Sequence, residues 1–238
     1  MFQIHNLDKF QSVGMLVCGN SRGSAFLVDY HQHQYLVTDY HVLHDRDNRI
    51  ISDNCEVVFF NQSIDYYNAT HLTIDFGILS EERKIEDVAK DLAIYRVDGN
   101  PDAISWQKNL GVIKGLSLSD VSLYDLWGKH SVIYGHPTSA KRPVPFDKKP
   151  FLTNGIVSAI DEDQQLFVVD SPVYYGNSGS PVFLKRCGLT LIGIVQNLIP
   201  FNLEWHIQYE DIVRTDWHNT GYSVCRSSNV IKQLIDGL

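Results

Sequence analysis

The sequence predicts an all-β protein built as two packed six-stranded antiparallel barrels with a helix at the C-terminus. Three observations predict it. Short runs rich in valine, isoleucine, tyrosine and phenylalanine recur in two series of six. Gly, Asp, Asn, His and Pro punctuate the runs, and helical periodicity is weak until the last dozen residues. The first series is "VGMLVC", "SAFLVD", "QYLVTD", "CEVVFF", "LTIDFGIL" and "DLAIYRV". The second is "SVIYGH", "GIVSAI", "LFVVD", "SPVFL", "LTLIGIVQ" and "TGYSVC". Evenly spaced short strands with few helical intervals fit a sandwich or barrel. The turn formers of "DGNPDAISWQKNLG", Asp98 to Gly111, divide the series. One domain over 1–238 is expected, with barrels over 9–104 and 110–226. The helix is expected over 227–238, where "SSNVIKQLIDGL" combines serine or asparagine caps, helical spacing and a closing glycine.

A chain of 238 residues, 44% hydrophobic, can bury a sizeable core. Its formal net charge of −8 opposes phosphate backbones and anionic membranes, so neither nucleic acid nor membrane is an expected partner. The basic run Lys141 to Pro150 reads as a solvated loop. Apolar runs fall far short of the roughly 20 residues of a membrane span. The N-terminus lacks the basic start and apolar core of a secretory signal. Cys18, Cys55, Cys187 and Cys225 are scattered without metal-ligand spacing. Four free thiols in the reducing cytoplasm are the expectation.

Chemistry concentrates in "YYGNSGSPVF", Tyr174 to Phe183. A strand-turn-helix nucleophile elbow does not fit, because Ser180 stands where its second glycine would be and a strand pattern follows. A tight loop ahead of a strand fits. Gly176 lacks a Cβ, so its N–H can turn toward a substrate carbonyl, and the N–H of Ser178 would point the same way. Two such donors make an oxyanion hole. Ser178, between Asn177 and Gly179, has an accessible hydroxyl. Ser180 precedes Pro181 and is read as a strand start satisfied by the backbone.

A serine hydroxyl needs a base, usually a histidine oriented by a carboxylate. Of ten histidines, His41 ends a β-run in "YLVTDYHVL". His31 and His33 read as a polar hairpin turn, and His44 lacks a preceding strand. For the carboxylate, Asp91 heads "DLAIYRV" and Asp75 lies in "LTIDFGIL"; charge alone does not separate them. The order His41, Asp91, Ser178 is one of the known arrangements of the serine-hydrolase triad.

With these residues assembled, the chain resembles the trypsin-like (chymotrypsin-fold) serine proteases along nearly its whole length. "RGSAFLVD" with "YLVTDYHVL" and "DLAIYRV" resembles the high-temperature-requirement branch, which favours Asp91 over Asp75. "VIYGHP", "LTNGIVSAI", "VVDSPVYYGNSGSPVF" and "LIGIV" follow in the family's second-barrel order. "GNSGSPVF" is similar to the glutamyl endopeptidase branch. The resemblance implies a serine endopeptidase with Ser178 as nucleophile, His41 as general acid/base and Asp91 as its orienting group. It implies Gly176 and Ser178 as oxyanion donors, a protein or peptide substrate, and no metal or cofactor.

Departures from the family pattern sharpen these expectations. Val42 replaces the cysteine that follows the base histidine in secreted animal members. Asn177 replaces the aspartate that pairs with a newly cut N-terminus, so activation by trimming is not expected. The specificity pocket is expected at Pro172 and Val173, with walls from Gln196, Asn197, Leu198 and around Gly221 to Ser223. Pro172 supplies no carboxylate for a basic substrate, and Val195 stands where the glutamyl branch has a histidine. An uncharged residue before the cleaved bond follows, unless the loops read in "FNLEWHIQYEDIVRTDWHNT", Phe201 to Thr220, place Glu204, Asp211 or His218 in the pocket. Residues 1–238 carry no counterpart of the peptide-binding domains of the high-temperature-requirement proteases, so recognition is expected from the barrel loops, a regulatory partner chain or sequence outside these residues. The alternative is a silent or latent protease-like binding module awaiting a partner.

Overall fold

A computed structural model describes residues 7–60, 68–107, 113–138, 149–186, 188–207 and 212–237. In the first half these strands form: β1 (Val13–Cys18), β2 (Ser21–Tyr30), β3 (His33–Thr38), β4 (Asn54–Phe59), β5 (Thr70–Asp75), β6 (Lys84–Asp87), β7 (Leu92–Arg96), β8 (Ile104–Gln107) and β9 (Leu116–Ser117). The second half holds β10 (His130–Gly135), β11 (Phe151–Asp161), β12 (Leu166–Asp170), β13 (Pro181–Lys185), β14 (Leu189–Ile207) and β15 (Ile212–Ser227). Short helices α1 (Leu7–Phe10) and α2 (Tyr40–Leu43) and the terminal α3 (Ser228–Asp236) complete the chain. Among the described residues, no helix is long and apolar enough to cross a membrane.

The all-β, chymotrypsin-like class is as the sequence predicts. The second sheet closes as a six-stranded barrel in the order β10-β11-β12-β15-β14-β13. The first differs from the expected six-stranded ring. It is a nine-stranded sheet in the open order β6-β7-β3-β2-β1-β4-β5-β8, with β9 added in parallel to β2. The six apolar runs are there, but the short polar piece Lys84–Asp87 and the short alternating piece Ile104–Gln107 also hydrogen-bond, at the two ends of the path.

Alternation explains how the halves join. Residues 23–28 of β2 are buried without a break. Odd-numbered Ala25 and Leu27 face the interior of the first sheet, and even-numbered Phe26 and Val28 join the cluster at the seam. In β7, Ala93 and Tyr95 turn inward while Leu92 and Ile94 reach the seam. Val132, Tyr134, Phe183 and Ile194 of the second barrel meet them there, and α3 adds Val230, Ile231 and Ile235. Each such side chain contributes about 1.5–3 kcal/mol by leaving water. Ser227 caps α3 by accepting the Asn229 N–H, and Gly237 ends it.

Two further expectations are corrected. Register places Cys18 directly opposite Cys55 on β1 and β4, with Cα atoms 4.4 Å apart, and they form a disulfide. Close opposition in an antiparallel pair brings them together, and their spacing in sequence gives no sign of it. The free-thiol argument for a reducing compartment therefore does not carry. Cys225 is free and buried, and Cys187 lies outside the described residues. The stretch from Phe201 to Thr220, read as loops, is instead largely a two-stranded ribbon: β14 and β15 stay paired from Pro200↔Asn219 out to Ile207↔Ile212. Most of the Lys141–Pro150 run, and Asp211, lie outside the described residues.

Candidate active site

Strand β3 ends at Thr38, and α2 follows as one helical turn. Tyr40, Val42 and Leu43 are buried in it, so His41 is left facing outward. Asp91 sits just before β7 at φ +52°, a left-handed conformation that costs a non-glycine residue roughly 1–2 kcal/mol. The surroundings hold it there: its carbonyl accepts the Tyr40 N–H at 3.3 Å and the Gln196 side-chain amide at 3.2 Å. In that pose its carboxylate takes the backbone N–H of His41 at 3.0 Å and lies 2.8 Å from His41 Nδ1. The carboxylate thereby selects the tautomer with the proton on Nδ1, leaving the Nε2 lone pair as the base. Asp75 does otherwise, closing its own turn by accepting the Gly77 N–H at 2.9 Å.

Ser178 lies in the turn before β13. Its hydroxyl donates to the Gln196 carbonyl at 3.3 Å, and its own carbonyl accepts the Ser24 N–H at 2.8 Å. Gly176, at φ +96°, has its carbonyl held by the Ser24 hydroxyl at 2.8 Å. Among the described residues, the N–H groups of Gly176 and Ser178 have no acceptor, whereas those of Asn177, Gly179 and Ser180 do. Two vacant donors flank the Ser178 hydroxyl. A Cβ on Gly176 would lie 2.5 Å from the His136 carbonyl oxygen and 2.6 Å from Thr138 N, so only glycine fits.

His41 and Ser178 line one cleft of about 320 Å³. Val173, Val195 and Leu198 give it apolar walls, Gln196 and Asn197 line one side, and Tyr174 and Tyr175 stand at the surface. Val173, Gln196, Asn197 and Leu198 thus line the cleft, while exposed Pro172, and Gly221, do not. Glu204 and His218 belong to the ribbon, where His218 stacks on Phe201 with ring centres 5.3 Å apart. Among the described residues that line the cleft, His41 is the only Asp, Glu, Lys, Arg or His.

Sequence reading missed a buried acid. Asp39, two residues before His41, is wholly buried; its Oδ2 accepts the Gly179 N–H at 2.8 Å, and Oδ1 has no partner. Burial, and then the charge of Asp91, push its carboxyl well above the usual range, while the Gly179 bond and Arg226 oppose them. Asp39, His41 and Asp91 can each bring one ligand atom within 4.8 Å of the others. Of these donors, His41 Nδ1 is engaged with Asp91 and Asp39 Oδ2 with Gly179, whereas Asp39 Oδ1 is not. Ser24, Thr138 and the Gln196 side chain were also missed, because each acts on a residue far along the chain.

A two-sheet all-β fold with a histidine–carboxylate pair and a loop serine on one cleft, and vacant amides in the serine loop, defines the class of chymotrypsin-like serine hydrolases. The family model described as trypsin-like peptidase domain matches residues 23–194, and the chain belongs to that family. Two similar solved structures share the fold. One is a Glu endopeptidase in complex with MPD, 15% identical, with a TM-score of 0.61 over 99% of this chain and 94% of that one. The other is the thermostable serine protease AL20 from an extremophilic microorganism, 13% identical, with a TM-score of 0.61 over 94% of each chain. No curated protein matches the chain in sequence.

Proposed function

We propose that the chain is a serine endopeptidase that works through an acyl-enzyme. The observation that supports it most is the grouping on one cleft of Ser178 and an Asp91-bound His41, with the Gly176 and Ser178 amides without acceptors among the described residues. On substrate binding the Ser178 hydroxyl exchanges the Gln196 carbonyl for His41 Nε2. Its oxygen attacks the peptide carbonyl as His41 takes the proton. The developing oxyanion meets the Gly176 and Ser178 amides, each such donor being worth on the order of 10²–10³ in turnover. His41 then hands the proton to the leaving amine, and water releases the acyl group by the same steps.

The apolar cleft wall of Val173, Val195 and Leu198 favours an uncharged side chain before the cleaved bond. A fluorophosphonate probe tests the reading: covalent labelling of the wild type that is lost in Ser178→Ala is the expected result. Well-folded wild type that stays unlabelled would instead favour a protease-like binding module. A peptide library cut after Arg, Lys or Glu would overturn the specificity.

A further inference from the structure

The segment Tyr174–Ser180 carries no charged residue, so no ion pair within it can hold the vacant amides in place. Glycine at φ +96° has no Cβ barrier to rotating the peptides on either side. Something else must fix them. In a trans peptide the C=O and N–H point in opposite directions, so anchoring one aims the other. The Tyr175 carbonyl accepts the Thr138 N–H at 2.7 Å and the Thr138 hydroxyl at 3.3 Å, which aims the Gly176 N–H away from Thr138. The next peptide is anchored from the other half of the molecule: the Gly176 carbonyl accepts the Ser24 hydroxyl at 2.8 Å.

The Ser24 hydroxyl has little freedom. It is fully buried and accepts the His136 N–H at 2.9 Å, so its single proton is left for Gly176. Its main chain is committed too, the N–H to the Ser178 carbonyl and the C=O to the Thr38 hydroxyl at 2.9 Å. One residue of β2 thus touches the strand leading to His41, the nucleophile and the oxyanion loop.

We propose that Ser24 is a positioning residue of the oxyanion hole, its hydroxyl holding the Gly176–Asn177 peptide that joins the two vacant amides and so fixing the Gly176 and Ser178 N–H groups relative to one another. This rests on the acyl-transfer reading above. It accounts for a hole formed with the neutral Asn177 next to the nucleophile. Losing the hydroxyl removes the donor to the Gly176 carbonyl and releases the peptide.

The test compares wild type with Ser24→Ala and Ser24→Cys, the latter a poorer donor of similar size. With the folded fraction fixed by calorimetry, kcat for a peptide substrate should fall at least tenfold in Ser24→Ala, with KM within about threefold. That is about 1.4 kcal/mol of transition-state stabilisation. Affinity for a peptidyl boronate, which fills the hole, should fall by the same factor, and Ser24→Cys should fall between. A kcat within twofold of wild type, or a loss confined to KM, would overturn the proposal. If Ser24→Ala does not fold, Ser24→Cys decides by the same criteria. If the wild type turns nothing over, the acyl-transfer reading fails separately. Crystal structures of wild type and a folded Ser24 variant then decide: a Gly176 carbonyl rotated from its seat in the variant supports the proposal, and an unmoved one refutes it.

Discussion

Asp39 makes a prediction about stability whose sign is set by its surroundings. The perturbation is Asp39→Asn, made in the Ser178→Ala background to avoid self-digestion. Burial and the nearby Asp91 raise the folded-state pKa, so the folded protein keeps a proton that the unfolded chain begins to release near pH 3.8. Below that pH both states hold the proton and the group exerts no pull. As pH rises toward the folded pKa, the unfolded state binds fewer protons than the native one, and stability falls by about 1.4 kcal/mol per pH unit. Asparagine has no such dependence, and its Oδ1 still accepts the Gly179 N–H. For a chain of this size 1 kcal/mol shifts Tm by about 2–4 °C, so the advantage of Asp39→Asn should widen by roughly 3–5 °C per pH unit and then level off. Urea melts of both proteins from pH 4 to pH 8 measure the gap. A gap that does not change with pH would refute the reasoning. So would an Asp39→Asn variant 3–5 kcal/mol less stable at pH 7, the signature of an ionised Asp39 paired with Arg226.

Three other outcomes are expected. Asp91→Asn would present an amide N–H to His41 Nδ1, invert the imidazole tautomer and lower kcat by about 10⁴ with an unchanged melting curve; a loss under tenfold contradicts the assigned role. Gly176→Ala forces a Cβ into the His136 carbonyl and Thr138 N at a φ that alanine rarely adopts. It should cost at least about 10² in kcat while leaving competitive binding of a non-covalent peptide intact. Cys18 and Cys55 should resist alkylation until reduced, as read by mass spectrometry. Opening their 37-residue link should cost about 4 kcal/mol by loop entropy, or roughly 8–16 °C in Tm.

The sequence shows plainly what depends on neighbours within a few residues. His41 is legible because a β-run stops three residues before it, and Ser178 because glycines surround it just ahead of a strand. The second barrel is legible because its runs are apolar enough to mark all six strands. Lys84–Asp87 was passed over because an edge strand needs no apolar pattern once a neighbour supplies hydrogen bonds, and Ile104–Gln107 because its core-facing Ile104 and Trp106 sit among the turn formers read as the divide between the two series. The ribbon was missed for a related reason. Phe201, Leu203 and Trp205 alternate as a strand should, but Asn202 and Glu204 between them resemble a polar loop. No core exists there to break the tie, since Phe201, Leu203 and Trp205 are all exposed.

What stayed hidden depends on register between distant strands. Cys18 meets Cys55 only when β1 and β4 pair, and Asp39 meets Gly179 across 140 positions. Ser24 marks the boundary of what can be read. Its period-2 neighbours Phe26 and Val28 face the seam, so the alternation that identifies β2 also says that a hydroxyl is carried there. A buried hydroxyl needs partners, and beside Phe26 it can find them only across the seam, in the loops of the other sheet. A polar residue in phase with the apolar face of a doubly buried strand is therefore a positional clue to the site. It tells which element reaches the chemistry before anything reveals what it touches.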